Sequence, residues 1–545
     1  MEIERINEEV LRAVEALRGF PNVSCPPPDE IRRRAENFGL RTKYGNYNFA
    51  STVKNRSAAA TVYVGGPGMA ETQLTQKRKE ILGALPDTLK LLHAYMKRAP
   101  FVCVERTMGQ NNHFTPHCRL FVSVYRQESI RLAHMVSQTL FDKANTPGPE
   151  FNIAYIPEWQ EKDRQMLVFP DVGVTYVLGS DYYGEAKKGF LRMAMWRAKQ
   201  DGMLGLHAGT KIIRAKGPDG KLRHLGMVIF GLTATGKTTH SCHNHDLNLD
   251  GEGVEIVQDD VVFWRKDGSA LGSERGFYIK TEGLNPEVQP VLHHAATRPD
   301  AILENVMVDH NGSVDFDDQT LTGNGRGIIQ RDDLGTYRAG TINLPPIDEL
   351  DGMIIAFIIR RNTVVPIACR LEPDQAAAAF MLGESIESSG SDPRRAGESV
   401  REVGTNPFII GDEAEEGNLF YEFVKTHPDK IECYMLNTGG VGEVIERGLD
   451  GSKRIKQKVS RVQIPEMASV IRGIARGNIR WEDNPYWDTK TPAYVEGCDY
   501  SRFDLDKFYN EDQIEYLVGE LRQERREYID RFPGLGKDIY DAVEL

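Results

Sequence analysis

Met227-Val228-Ile229-Phe230-Gly231-Leu232-Thr233-Ala234-Thr235-Gly236-Lys237-Thr238-Thr239 is the stretch on which the fold turns. Its four apolar residues, Met227 to Phe230, predict a buried strand. Gly231 to Thr238 then matches the phosphate-loop pattern: glycine, four residues, glycine, lysine and a hydroxyl residue. Glycine allows backbone N–H groups to turn inward around phosphate oxygens. The helix predicted to start near Lys237 aims its positive N-terminal end at the same anion. In such a loop Gly231, Thr233, Thr235, Gly236 and Thr239 wrap the nucleotide. Lys237 reaches the β- and γ-phosphates, and the Thr238 hydroxyl ligates Mg²⁺. The expected fold class is α/β.

Downstream, Val254 to Gln258 predicts a strand that ends in Asp259-Asp260. A carboxylate at a strand end beside a phosphate loop suits Mg²⁺ or Mn²⁺. Asp260 follows Lys237 by only 23 residues. A helix, a further strand and their crossovers do not fit comfortably in that interval. The second strand is therefore expected to follow the loop helix directly, unlike the GTPase layout. Between them, His240, His243 and His245 pose a choice between a metal cluster and ordinary packing. No matching Cys/His spacing occurs elsewhere, which favours packing.

The chain has 545 residues, 40% hydrophobic and 27% charged, as in ordinary globular proteins of more than one domain. A net charge of −12 argues against nucleic acid as a partner, so an anionic ligand needs a local cationic pocket. No apolar run approaches the roughly 20 residues that cross a bilayer. The acidic, amphipathic start, MEIERINEEVLRAVEALRGF, lacks a signal-peptide layout. Seven scattered cysteines without a CxxC point to reduced thiols and a cytoplasmic location.

Upstream of the loop the segments read as mixed α/β. Helices are expected over residues 5–19, over Asp29 to Phe38 with Asp29 as cap, and over Glu128 to Phe141. Strands are expected at Phe101 to Val104, Arg119 to Tyr125 and Val172 to Leu178. Arg56 sits in a loop before the apolar run Ala60 to Val64, where an arginine is commonly a solvated charge. Lys187-Lys188 falls early in the helix that follows SDYYGEAKKG, where the macrodipole disfavours cations. His207 lies alone in the apolar segment LGLHAG. Later, Ala301 to Val308 followed by DHNGSVDFDD predicts a hairpin about an Asn-Gly turn. Pro373 to Ile386 predicts a helix. SSGSDPRRAGESVREVG reads as a mobile loop whose arginines are free to close over nucleotide.

Taken in order, several of these stretches resemble the ATP-dependent phosphoenolpyruvate carboxykinase family. GLTATGKTT resembles that family's GLSGTGKTT, SDYYGEAKKG its tyrosine–glycine–glutamate–lysine–lysine turn, and GLHAG its metal-histidine segment. FYIKTEGLNPE, AILENVMVDHNGSVDFDD, RLEPDQAAAAFMLGESIE and YMLNTGG follow in the family's order. The likeness spans roughly residues 40–500. The run NRSAAATVYV departs from the family's GRSPKDK-type segment, Ala234 replaces a loop glycine, and Asn285 stands where the family has glutamate.

The resemblance implies a two-domain carboxykinase-like fold that contains the phosphate loop. The expected boundary lies near residue 203: residues 1–203 on the substrate side, residues 204–545 on the nucleotide side, with a lid near 388–405 and the active site between the two. It implies conversion of oxaloacetate and ATP to phosphoenolpyruvate, CO₂ and ADP in gluconeogenesis. Mg²⁺ would accompany ATP and Mn²⁺ would bridge enzyme and substrate. Lys188, His207 and Asp260 would hold Mn²⁺, with Lys237 and Thr238 serving ATP and Mg²⁺. Arg56 and Arg326, with Tyr182 beside them, would grip substrate oxygens, and Lys280 would lie near the γ-phosphate. Of Arg394, Arg395 and Arg401, the last is the chosen partner of the nucleotide base. Lys187, the helix N-terminus and the metal would together favour a neutral, ligating Lys188. The alternative is a small-molecule kinase on the same scaffold, which needs neither Arg56 nor the three metal residues. Oligomeric state is left open.

Overall fold

The computed structural model describes residues 3–65, 69, 74–159, 164–232, 235–386, 398–447 and 453–544. The chain divides into two compact units that interleave along the sequence. One contains Met1–Gly205, Leu271–Gly335 and Phe408–Asp412. The other contains Leu206–Ala270, Thr336–Pro407 and Glu413–Leu545. The sequence reading placed one boundary, near residue 203, and two consecutive domains.

In the first unit, the amphipathic start forms the helix Ile3–Leu17. Its Ile6, Val10, Val14 and Leu17, three or four apart, are buried in one core with Phe101, Phe121, Leu167 and Tyr176. That core lies on a seven-stranded sheet. Its spatial order is Val23–Ser24, Phe101–Thr107, His117–Ser123, Glu150–Ile156, Val174–Leu178, Gln165–Phe169 and Thr61–Tyr63. The helix Pro28–Glu36 starts behind Pro27, so Asp29 sits in its first turn rather than capping it.

A second, five-stranded sheet explains the interleaving. Gly276–Lys280, Arg326–Gln330 and Ile302–Glu304 extend onto Tyr47–Phe49 and Leu40–Arg41, with Ile302 opposite Tyr47 in parallel. Pairing across that much sequence leaves no local signal. The expected hairpin is split. Asn305 adopts a left-handed φ of 59° and ends the strand Ile302–Glu304. Only Met307–Val308 and Val314–Asp315 form the ladder. The Asn305 amide explains the break, because its Oδ1 accepts from Ser51 N at 2.8 Å and its Nδ2 donates to Ser51 Oγ at 2.8 Å.

The second unit is built on an eight-stranded sheet ordered Gly253–Gln258, Ala208–Lys216, Leu222–Gly231, Gly352–Ile359, Ile431–Asn437, Ala368–Leu371, Lys490–Tyr494 and Arg480–Asp483. The phosphate-loop strand is covered on both faces, as its unbroken apolar run requires. Met227 and Ile229 join one core with Ile354 and Leu436. On the other face Phe230 stacks on Phe357 at 5.1 Å, with Phe380 and Phe420 edge-on to it.

Strand direction is what assembles the site in this unit. Ala208–Lys216 runs antiparallel to both Leu222–Gly231 and Gly253–Gln258. The latter two are therefore parallel to one another, with one strand between them. Their C-terminal ends and the N-terminal end of Ala208–Lys216 meet at one sheet edge. The strand after the loop helix thus follows it directly, and no extra crossover is needed.

The loop helix is short, Lys237–Cys242. The helix Pro373–Leu382 stops at Gly383 in the left-handed region, short of the expected Ile386. Glu384–Ile386 instead pairs with Ser399–Arg401. Of the expected lid, residues 387–397, including Arg394 and Arg395, lie outside the described residues. Among the described residues, no helix is long and apolar enough to cross a membrane.

Candidate active site

In the second unit, the three strand ends at the common edge carry His207, the phosphate loop and Asp259-Asp260. Gly236 takes a φ of 101°, a left-handed turn that side chains resist, and the helix begins at the next residue. Lys237 Nζ donates to Asp260 Oδ1 at 3.2 Å, and Thr238 Oγ1 donates to Asp259 Oδ2 at 3.2 Å. The loop is braced from behind, where Thr438 Oγ1 donates to Thr235 O at 2.6 Å. Thr239 continues the loop helix, and Gly231 closes the strand. Thr233 lies outside the described residues.

His207 Nε2 lies 3.0 Å from Asp260 Oδ1, while its Nδ1 lies 2.6 Å from Thr405 O. A carbonyl can only accept, so Nδ1 carries the hydrogen. The neutral ring then turns a lone pair on Nε2 toward a carboxylate oxygen. Two acceptors at that distance call for a cation between them or a proton on the imidazole. The donor set, one imidazole nitrogen and one carboxylate with the second nitrogen tied to a carbonyl, fits a divalent metal. No group of three or more His, Cys, Asp or Glu able to hold a metal occurs among the described residues. The expected third ligand is a lysine.

The histidines after the loop take another role. Lys211 is fully buried, and its Nζ donates to His240 O, to His243 O at 3.2 Å and to His245 Nε2. Burial pushes the Lys211 amine down to about 7 and His240 down to about 3.

Arg401 is occupied by carboxylates: its Nη2 is 3.1 Å from Glu524 Oε2 and 3.7 Å from Glu384 Oε2. Glu384 also binds Arg361 and Arg525. Burial opposes its ionised form, but these guanidinium groups hold its carboxyl well below the ordinary range.

In the first unit, the helix Tyr183–Gln200 sorts the lysine pair. Lys187 is buried in an ion pair with Glu274, which offsets the cation that the helix dipole disfavours there. Lys188 Nζ lies 4.7 Å over the Phe408 ring, and the Arg56 guanidinium lies 4.4 Å over the same ring. A guanidinium and an amine gathered on one aromatic ring suit an anionic substrate. Tyr182 is buried just before the helix, and Gly184 makes room for its ring: a Cβ there would meet Tyr182 Cε1 at 2.4 Å. Lys280 and Arg326 face each other on neighbouring strands. Lys280 binds Glu282, and the Arg326 guanidinium lies 5.5 Å over Tyr278. Asn324 ties three of these parts together. Its Nδ2 donates to Lys54 O at 2.7 Å and lies 3.5 Å from Tyr182 OH, while its Oδ1 accepts from Arg326 Nε at 3.0 Å.

The model of the phosphoenolpyruvate carboxykinase family, ATP class, matches residues 29–501. The chain belongs to this family. It is 29% identical to phosphoenolpyruvate carboxykinase (ATP) of Aeropyrum pernix over 533 residues, covering 97% of this chain and 98% of that one. It is 27% identical to the enzyme of the same name from Rhizobium etli over 381 residues, 68% of this chain and 65% of that one. For Rhodopseudomonas palustris the figures are 28% over 332 residues, 59% and 55%. The mixed α/β architecture of the two units agrees with a family member.

Sequence reasoning missed several residues. Phe408, Asn324, Glu274 and Lys211 stand in segments without a motif, and long-range pairing brings each to its partners. Asp181 and Glu185 lie inside SDYYGEAKKG, where the signal came from the tyrosine and the lysines.

Proposed function

We propose that this chain catalyses ATP-dependent decarboxylation and phosphorylation of oxaloacetate, giving phosphoenolpyruvate, CO₂ and ADP, in the cytoplasm and in the service of gluconeogenesis. Family membership supports this reading over the plain kinase. The observation that carries it is the shared Asp260 carboxylate, 3.0 Å from His207 Nε2 and 3.2 Å from Lys237 Nζ. It joins a metal-type donor pair to the phosphate-loop lysine.

Lys188, His207 and Asp260 would hold Mn²⁺, and Thr238 would hold the Mg²⁺ that accompanies ATP. A bound divalent cation supplies positive charge that stabilises an enolate. The chain's own residues do the rest. Arg56, Arg326 and Tyr182 orient the dicarboxylate. The bond to the departing carboxylate breaks, and its electron pair becomes the enolate. The enolate oxygen then bonds to the γ-phosphorus as the bond to the ADP oxygen breaks. Gly231, Thr233, Thr235, Gly236 and Thr239 cradle the phosphates. Lys237 and Lys280 neutralise charge on the transferring group, which needs positioning more than covalent help. Arg401 is the proposed neighbour of the base; to reach it, the side chain must leave Glu524.

The test is direct. Purified enzyme with ATP, Mn²⁺, Mg²⁺ and oxaloacetate should yield phosphoenolpyruvate. Lys188→Ala and His207→Ala should each lower that activity by about a hundred- to a thousandfold, as expected when a group stabilising the developing charge is lost. ATP binding, followed by titration calorimetry, should persist. Near-normal turnover in either variant would remove the metal assignment, and absence of any phosphoenolpyruvate would remove the function.

A further inference from the structure

Arg56 lies on a loop without regular structure, yet the backbone on both sides of it is tied to carboxylate side chains. Thr52 N donates to Asp181 Oδ2 at 2.8 Å, and Val53 N donates to Asp181 Oδ1 at 2.9 Å. The Thr52 hydroxyl adds a third contact to Asp181 Oδ1 at 2.9 Å. Beyond Arg56, Ser57 N donates to Glu185 Oε1 at 2.6 Å, and Glu185 is 2% exposed. Asp181 is itself held in place by Arg131. Arg131 Nη2 is 3.3 Å from Asp181 Oδ2, and Arg131 Nη1 donates to Glu304 Oε1 at 2.9 Å. Burial works to raise the Asp181 carboxyl, but the Thr52 and Val53 amides and Arg131 outweigh it and hold it below its ordinary range. Asp181 therefore stays an acceptor at neutral pH.

We infer that Asp181 and Glu185 form a two-carboxylate clamp that positions Arg56 for the substrate, and that this is their contribution to the reaction. The inference rests on the proposed role of Arg56. The geometry gives the clamp its meaning. Asp181 precedes and Glu185 opens the same helix that carries Lys188, one turn further on. Holding the loop on that helix keeps the Arg56 guanidinium and the Lys188 amine at a fixed offset, both over Phe408. A misplaced positioning group costs rate even when nothing at the reacting atoms has changed. Charge-assisted hydrogen bonds to backbone N–H are the strong kind, so the loss should be readable.

The experiment is a double-mutant cycle on kcat/KM for oxaloacetate, with Glu185→Ala and Arg56→Ala made singly and together. Glu185→Ala should cost about tenfold or more, raise KM for oxaloacetate, and leave KM for ATP within about twofold of the parent value. In the Arg56→Ala background it should cost nothing further. Glu185→Gln keeps an oxygen acceptor for Ser57 N and should restore most of the loss. Thr52→Val, which removes only the hydroxyl contact to Asp181, should show the same dependence on Arg56 in a milder form. It serves should Glu185→Ala fail to fold. Equal losses with and without Arg56, equal damage to ATP and oxaloacetate KM, or full activity in folded Glu185→Ala would each overturn the clamp and leave the Arg56 assignment standing. An Arg56→Ala enzyme with parental kcat/KM would overturn the assignment itself, and the clamp with it.

Discussion

The lysine pair in the helix Tyr183–Gln200 shows how neighbouring residues of one type divide their work. Lys187 has no exposed side-chain surface and is matched by Glu274, also buried. Such a pair adds little net stability, because both charges have left water, but breaking it leaves one buried charge bare. Lys187→Met should therefore destabilise the protein by about 3–5 kcal/mol. Lys187→Met combined with Glu274→Leu should recover most of that loss, as read from urea midpoints. A similar cost in the single and double variants would mean that the pair is not what Lys187 contributes. The anomaly of two cations near a helix N-terminus was visible in the sequence. The answer to it was not, since Glu274 lies 87 residues away, in the short link between the strands Ala270–Gly272 and Gly276–Lys280. From the residues alone His207 was a lone histidine; only the family resemblance marked it as a metal ligand. That its Nδ1 meets a carbonyl while its Nε2 faces Asp260 depends on Thr405, 198 residues on.

The phosphate-loop helix is the element whose shortness most needs explaining. Lys237–Cys242 has six residues, too few to be stable without tertiary support, and its last carbonyls lack helical partners. Lys211, from the adjacent strand, supplies the missing donors to His240 O and His243 O. Below about pH 7, where the Lys211 amine is charged, it also complements the dipole. Lys211→Met should lower stability by about 1–3 kcal/mol, because two carbonyls and one imidazole nitrogen lose their donor. It should also raise KM for ATP several-fold, because Lys237 and Thr238 ride on that helix. An unchanged urea midpoint together with unchanged ATP affinity would show that the helix needs no cap. The loop itself was legible in the sequence, since strand, glycines, lysine and hydroxyl are all local. So was the direct succession of the next strand, from the 23-residue interval. The cap was not, because HSCHNH advertises imidazoles whereas Lys211 uses two carbonyls and one ring nitrogen. The broken hairpin at Asn305 was hidden for the same reason: the amide that stops the strand answers to Ser51.

At the scale of the whole molecule, burial of histidine in both units sets the response to acid. His134 in the first unit packs edge-on to Phe49, 6.4 Å between ring centres. Burial lowers it from 6.5 to about 3, and it lowers His240 in the second unit to about 3 as well. The unfolded chain protonates these rings near 6.5, whereas the folded chain holds them neutral until pH approaches 3. Between those values the unfolded state binds more protons, so stability falls as pH falls. The stabilising contribution is complete above 6.5 and is lost on the way to 3, at about 1.4 kcal/mol per pH unit for each ring. Lys211 acts in the other half of the scale. Its folded value near 7 lies below the unfolded 10.5, so its burial penalty fades, and stability rises, as pH increases between those two values. Urea denaturation at pH 7.5 and pH 5.5 should therefore show a loss of at least about 1.4 kcal/mol for each buried ring at the lower pH. His134→Phe should remove one ring's share of that difference while leaving the His240 share in place. If the parent and His134→Phe proteins lose the same amount between the two pH values, the His134 ring is not held neutral in the folded state, and acid sensitivity must come from other groups.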